Sequence, residues 1–151
     1  MTQKTETFPD IDILDRRLRG LRLPGAAFTV TPSEAKFVAN LSNWAAVEPS
    51  PIFSYIAALR GLGITLEHMC SLCDFELALG PIVGECRIQL QGEIQHSLKY
   101  RTDVVIFGID RRPSTTYGIV DRLRFLVSLL EPGGASIADV QLTWLLPRGG
   151  A

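Results

Sequence analysis

The chain has 151 residues, 46% of them apolar and 21% charged, and carries a formal net charge of −1. That length suits one domain able to bury roughly 70% of its unfolded surface without metal or disulfide staples. Mixed charges summing to nearly zero exclude the one-signed field that attracts nucleic acid or an anionic membrane.

Arg16, Arg17, Arg19 and Arg22 form the densest basic cluster, but Asp10, Asp12 and Asp15 are interleaved with it. The segment therefore reads as a solvated amphipathic face. Met1 to Asp10 has no apolar run of the secretory type, and no stretch of eighteen apolar residues occurs anywhere. The expectation is a soluble cytoplasmic protein. Cysteines number three. Cys70 and Cys73 have CxxC spacing, yet they fall near the end of a helical pattern rather than at a helix start after a strand. They read as packed thiols of a reducing compartment rather than a redox motif or half a zinc site. No metal and no cofactor is expected.

In chain order, Ile11, Leu14, Leu18 and Leu21 recur at helical spacing, so residues 1–22 read as an N-terminal arm or short amphipathic helix. Pro24-Gly25 ends it, and Phe28-Thr29-Val30 reads as a short strand. Thr31-Pro32-Ser33-Glu34 is a helix start: a Thr cap, Pro at the first helical position and an acidic first turn. This helix carries Phe37, Val38 and Leu41 and stops near Asn43. A proline-rich turn from Ala45 to Pro51 follows. Then comes the longest helical pattern: Ile52, Tyr55, Ile56, Leu59, Leu62, Leu66, Met69 and Leu72. Gly61 and Gly63 each cost about 1 kcal/mol inside a helix, so a close approach by another group, or a break, is expected there.

Past Phe75 the period becomes two. Glu85 to Gln91 alternates, Lys99 to Ile109 is β-branched and aromatic, and Tyr117 to Leu130 and Ala135 to Leu146 are further strands. The last three are separated by Arg111-Arg112-Pro113-Ser114 and Glu131-Pro132-Gly133-Gly134, read as turns. The class is α+β: a curved antiparallel sheet wrapped around a long central helix.

Two stretches carry a family likeness. One is Leu18-Arg19-Gly20 to Asn43, with Phe28-Thr29-Val30-Thr31 and Ser33-Glu34 leading into Phe37, Ala39 and Leu41. The other is Val83-Gly84-Glu85 with Ile88 and Leu90, then Tyr100 to Ile109, Arg111, and the final strands ending Trp144-Leu145-Leu146-Pro147-Arg148. Together they resemble the MaoC-like hydratase/dehydratase family, in its fatty-acid-synthase-like dehydratase branch. The resemblance implies a hotdog fold, here over residues 23–151. It also implies an acyl chain on coenzyme A or a carrier protein as substrate, in fatty-acid or polyketide-like metabolism. A homodimer, or a heterodimer with another hotdog subunit, follows from the same likeness.

Hydratases of this family use an Asp and a His a few residues apart, because hydration of an enoyl thioester needs a base for the water proton and an acid for the α-carbon. The thioester oxygen is held by a backbone N–H at a helix start. This sequence departs from that pattern. Ser42-Asn43 stands where the acidic residue would be. Pro51-Ile52-Phe53 lies either on the family's Pro-Ile-His, with Phe53 for the histidine, or on the start of the central helix. His68 and His96 lie elsewhere and read as structural or surface residues.

Glu48 and Asn43 are the candidate catalytic residues. A Glu can act as base where burial raises its pKa, and an Asn can orient a thioester or a water. The plainer readings are a solvated turn for Glu48 and a helix C-cap for Asn43. Asp74 and Tyr100 are remoter candidates. Ile52, Phe53, Ile56 and Leu59 are the expected substrate-binding wall, with a core role as the alternative. Gly61-Leu62-Gly63 follows no strand and is not a dinucleotide fingerprint. No serine has a Gly-x-Ser-x-Gly context. Three readings stay open: a hydratase/dehydratase-type enzyme, changed chemistry led by Glu48 or Asn43, and a non-catalytic subunit or acyl-binding module that pairs with a catalytic partner.

Overall fold

A computed structural model of the chain describes residues 7–45 and 48–149. Four helices, α1 (Ile11–Leu18), α2 (Pro32–Ser42), α3 (Ile52–Arg60) and α4 (Leu66–Leu72), accompany six strands. The strands are β1 (Arg22–Leu23), β2 (Ala27–Phe28), β3 (Ile82–Leu90), β4 (Tyr100–Ser114), β5 (Gly118–Leu130) and β6 (Ser136–Gly149). They form one antiparallel sheet in the order β1-β4-β5-β6-β3, and β2 also pairs with β4. This is the expected α+β class, with α3 and α4 held against the sheet's inner face.

The helix starts follow from capping chemistry. Asp10 accepts from the N–H groups of Asp12 and Ile13 at 2.9 and 3.1 Å. Thr31 and Glu34 satisfy each other's backbone N–H in a reciprocal box, with Pro32 at the first helical position. α1 turns Leu14 and Leu18 into a core cluster with Val104, Ile106, Phe125 and Leu142. A second cluster joins Phe28, Val30, Ala35, Phe53 and Ala57 to Tyr100 and Leu129.

The long helical pattern is cut in two between Gly61 and Ile64. Both causes anticipated for the glycines operate together. A Cβ on Gly61 would collide with Thr102 Cγ2, and one on Gly63, whose φ is +74°, would collide with the backbone of Gly25. The buried Thr102 hydroxyl donates to Gly61 O at 2.5 Å and accepts from Ala26 N at 2.8 Å. Strand, loop and helix end thus meet at one side chain. The helix restarts at Thr65, whose hydroxyl accepts from His68 N at 3.0 Å.

The structure also corrects the turn assigned to Arg111-Arg112-Pro113-Ser114, because β4 continues through it to Ser114. Cross-strand charge pairing carries the strand onward. Arg122 grips Asp110 through two bonds of 2.8 and 2.7 Å. Arg111 grips the fully buried Asp121 at 2.7 and 3.1 Å, and Arg148 reaches the same carboxylate at 2.9 Å. Arg148 also donates to the carbonyls of Cys73 and Asp74, and Arg17 to that of Leu72, so arginines meet the orphan carbonyls where α4 ends. Cys70 and Cys73 are buried there, and burial, seconded by Cys70, pushes the Cys73 thiol up to about 12.

The two outer edges of the sheet differ. Along β4, Gly20 N donates to Ile106 O, Ile106 N to Leu21 O and Thr102 N to Ala26 O, each at 2.8–2.9 Å. Asp15 of α1 accepts the Ile109 N–H at 3.0 Å. Among the described residues β3, by contrast, pairs with β6 alone and is exposed from Val83 to Leu90 on both faces. The alternation read in Glu85–Gln91 thus gives no buried face. Cys86, Ile88 and Leu90 lie opposite the buried Leu142, Val140 and Ala138 of β6, on the inner side, but the helices stop short of them.

Candidate functional site

The loop between α2 and α3 is shaped by its own side chains. Asn43 ends α2 in the left-handed conformation at φ 55°, which Asn tolerates well, and its N–H donates to Ala39 O. Asn43 is exposed. The Trp44 indole N–H donates to Glu48 O at 3.0 Å and closes the loop on itself. Pro49 and Ser50 are buried beneath it, and Ser54 donates to Pro51 O at 2.7 Å.

This loop forms one wall of a cavity of about 220 Å³. Trp44, Glu48, Pro49 and Pro51 line it on one side, and Leu90, Gly92, Glu93 and Ile94 line it where β3 ends. Ring and aliphatic surface dominates, with two carboxylates set into it. A wider hollow of about 470 Å³ lies by α4, but Glu67, Asp74 and Glu76 make up three of its seven lining residues. The smaller cavity has the chemistry of an acyl site, apolar walls with few polar groups, and it decides the choice.

The candidate residues from the sequence fall in different environments. Glu48 is half-buried and lines the cavity. Phe53 is buried in the second core cluster, with Ile56 packed against it. Ile52 and Leu59 are 42% and 41% exposed on the outer side of α3. Those four positions on α3 are not among the described residues lining the cavity. Tyr100 lies fully buried below the loop, its hydroxyl oxygen accepting from Gln95 N at 2.7 Å. Burial raises the Tyr100 pKa, with the charges of Glu131 and Glu48 pushing the same way, so the phenol stays protonated. Asp74 pairs with Arg17 at 3.2 Å at the far end of the helical layer, and His68 is exposed on α4.

Trp44 and Glu93 escaped the sequence reading. Glu93 carries no local signal, since only the return of β3 to the loop places it beside Glu48. Trp44 had a usable signal, a large aromatic immediately after a helix stop.

The helix start at α3 also bears on chemistry. Ile52 N donates to Ser50 Oγ at 3.4 Å, Phe53 N to Ser50 O at 3.1 Å and Ser54 N to Pro51 O at 3.0 Å. The first three N–H groups, those a thioester oxygen would use, already have acceptors within the chain.

No protein-family model matches the chain, and no curated protein matches it. Solved structures do. Over 85% of this chain and 96% of the other, it superposes on a chain of the HadBC (3R-hydroxyacyl-ACP dehydratase) complex from Mycobacterium tuberculosis, with a TM-score of 0.64 at 14% identity. The ChsH1-ChsH2 complex from the same organism matches with a TM-score of 0.64 at 10% identity, over 93% of this chain and 90% of that one. A Staphylococcus aureus protein solved in complex with CoA matches with a TM-score of 0.51 at 13% identity, over 85% and 71% of the two chains. The fold is the hotdog fold expected from the sequence.

Proposed function

We propose that this chain is a hotdog subunit that binds an acyl thioester, carried by coenzyme A or a carrier protein, in the Trp44–Glu48 cavity. A second hotdog subunit lies along β3 and completes the site. One observation carries the reading: the cavity shares Leu90 with β3, so it opens onto the uncovered inner side of that strand. An acyl chain leaving the cavity along Leu90 and Ile88 would run over apolar side chains that no described residue covers. Exposed apolar surface of this sort marks a binding or assembly face. The likeness to a hydroxyacyl-ACP dehydratase complex and to a CoA-bound protein supports the same substrate class.

Glu48, the cavity-lining residue of the loop that can exchange a proton, is assigned the proton transfer. In hydration of an enoyl thioester, its carboxylate takes a proton from water as the oxygen bonds to C3, then returns that proton to C2. One carboxylate closes the balance, and dehydration is the reverse.

The occupied N–H groups at α3 favour a second reading. With no free donor there for the thioester oxygen, and with Phe53 in the core, the chain shapes the pocket while a partner supplies the acid and base. Turnover of a crotonyl-type CoA thioester by the purified chain, alone and with Glu48→Gln, separates the two. Under the first reading Glu48→Gln lowers kcat by about 10²- to 10⁴-fold, the usual contribution of a general base, while acyl-CoA binding persists. Under the second, the chain alone binds acyl-CoA but turns nothing over. Failure to bind acyl-CoA or an acyl carrier protein, measured calorimetrically, overturns both.

A further inference from the structure

We infer that the Trp44–Glu48 cavity selects acyl groups carrying a cationic nitrogen, an ammonium head held between Glu48 and Glu93 against the Trp44 ring. This rests on the acyl-thioester reading proposed above and names the class of acyl group.

The argument starts from what the cavity offers a ligand. Of its eight lining residues only Trp44, Glu48 and Glu93 have polar side chains, and none is a lysine, arginine or histidine. The Trp44 N–H is already spent on Glu48 O at 3.0 Å. The side chains therefore present acceptors alone. Neither carboxylate forms an ion pair with any described residue. Two unbalanced negative charges are thus set into apolar walls, and a cleft lined by one sign of charge focuses its field on the space inside.

That field decides the sign of the ligand. A carboxylate or phosphate would meet like charge, and a hydroxyl would find acceptors but balance nothing. A cation does both. The same field turns the phosphates of the thioester carrier away, so the acyl end enters first.

The walls decide which cation. A divalent metal ion needs about six oxygen ligands, and no group of three ligating residues gathers among the described residues. An organic ammonium instead wraps its charge in methyl and methylene groups. That skin suits Pro49, Pro51, Leu90 and Ile94, while the face of an indole ring attracts the charge itself. At about 220 Å³ the cavity holds roughly seven water volumes of about 30 Å³ each, enough for an ammonium head and a few methylene groups.

Two isosteric thioesters test this: 4-(trimethylammonio)butyryl-CoA and 5,5-dimethylhexanoyl-CoA, which differ only in a charged nitrogen for a neutral carbon. Titrated calorimetrically into the purified chain, the cationic thioester should bind about tenfold tighter. Glu93→Gln and Trp44→Leu should each lower that ratio about threefold, and so should raising the salt from about 0.05 to about 0.5 M, which screens the carboxylates. A urea midpoint matching wild type shows that each variant is folded. Equal binding of the two thioesters, or a ratio that neither variant lowers, overturns the cation site and leaves the acyl-thioester reading standing. Binding of neither thioester overturns that reading, and the cation site with it.

Discussion

The two edges of the sheet are built from the same chemistry and treated oppositely. At the β4 edge the chain devotes its first described segments to covering backbone groups: β1 and β2 supply partners, and α1 lays Asp15 against the Ile109 N–H. At the β3 edge nothing in the described chain does this, and apolar side chains stay exposed on the inner side. An unpaired strand edge is a template for another polypeptide, and proteins blunt edges that are not used. Here one is blunted thoroughly and the other left plain. The difference is what the subunit pairing proposed along β3 rests on, while α1, β1 and β2 hold the β4 edge.

The largest effect that would break this contrast lies on the covered side. Leu18 is completely buried between α1 and the sheet, so Leu18→Ala should destabilise the fold by about 2–5 kcal/mol, read as a lower midpoint in urea unfolding. Asp15→Asn comes next, at about 1–3 kcal/mol, because it weakens a charge-assisted bond to the Ile109 N–H and the pair with Arg19 at 2.7 Å. Although burial opposes it, the backbone bond and Arg19 hold the Asp15 carboxyl below its usual range. A depressed carboxylate pKa stabilises the fold above the unfolded value near 4, and that stability disappears as pH falls through the folded value. Unfolding followed from about pH 7 to about pH 3 should thus show wild type losing its advantage over Asp15→Asn below about pH 4. The smallest effect belongs to the open edge. Ile88→Thr should change the stability of the single chain by no more than about 0.5 kcal/mol while weakening association measured by sedimentation. A large loss of stability from Ile88→Thr in the monomer would show that the edge is not open.

The start of α2 was legible in the sequence because capping is local: Thr31, Pro32 and Glu34 are near neighbours and share one box of hydrogen bonds. The sheet was legible in outline for the same reason, through period-two runs. Its boundaries were less so. Arg111 to Ser114 has turn composition, but pairing with Gly118 to Asp121 across the hairpin, with Asp121 gripping Arg111, makes it strand. The alternation in β3 signalled a strand correctly but implied a covered face that the helices never reach. The split of the long helix was half visible in Gly61 and Gly63, whereas Thr102, the residue that forces it, lies 41 residues beyond Gly61. The candidate site was legible only on one wall. Glu48 stood out by position, but its cavity depends on Leu90, Glu93 and Ile94 returning to the loop, and periodicity carries no information about that.

The position of β3 has a consequence during synthesis. Among the described residues its hydrogen-bonded neighbour is β6, the last strand of the sheet to be made, with Ile82 opposite Leu145 and Leu90 opposite Ala138. At about 5–20 residues per second, β6 follows β3 off the ribosome by roughly 3–12 s. Until then β3 has two bare edges and no sheet to join. The nascent chain therefore passes through an interval in which its exposed strand has no neighbouring strand on either side.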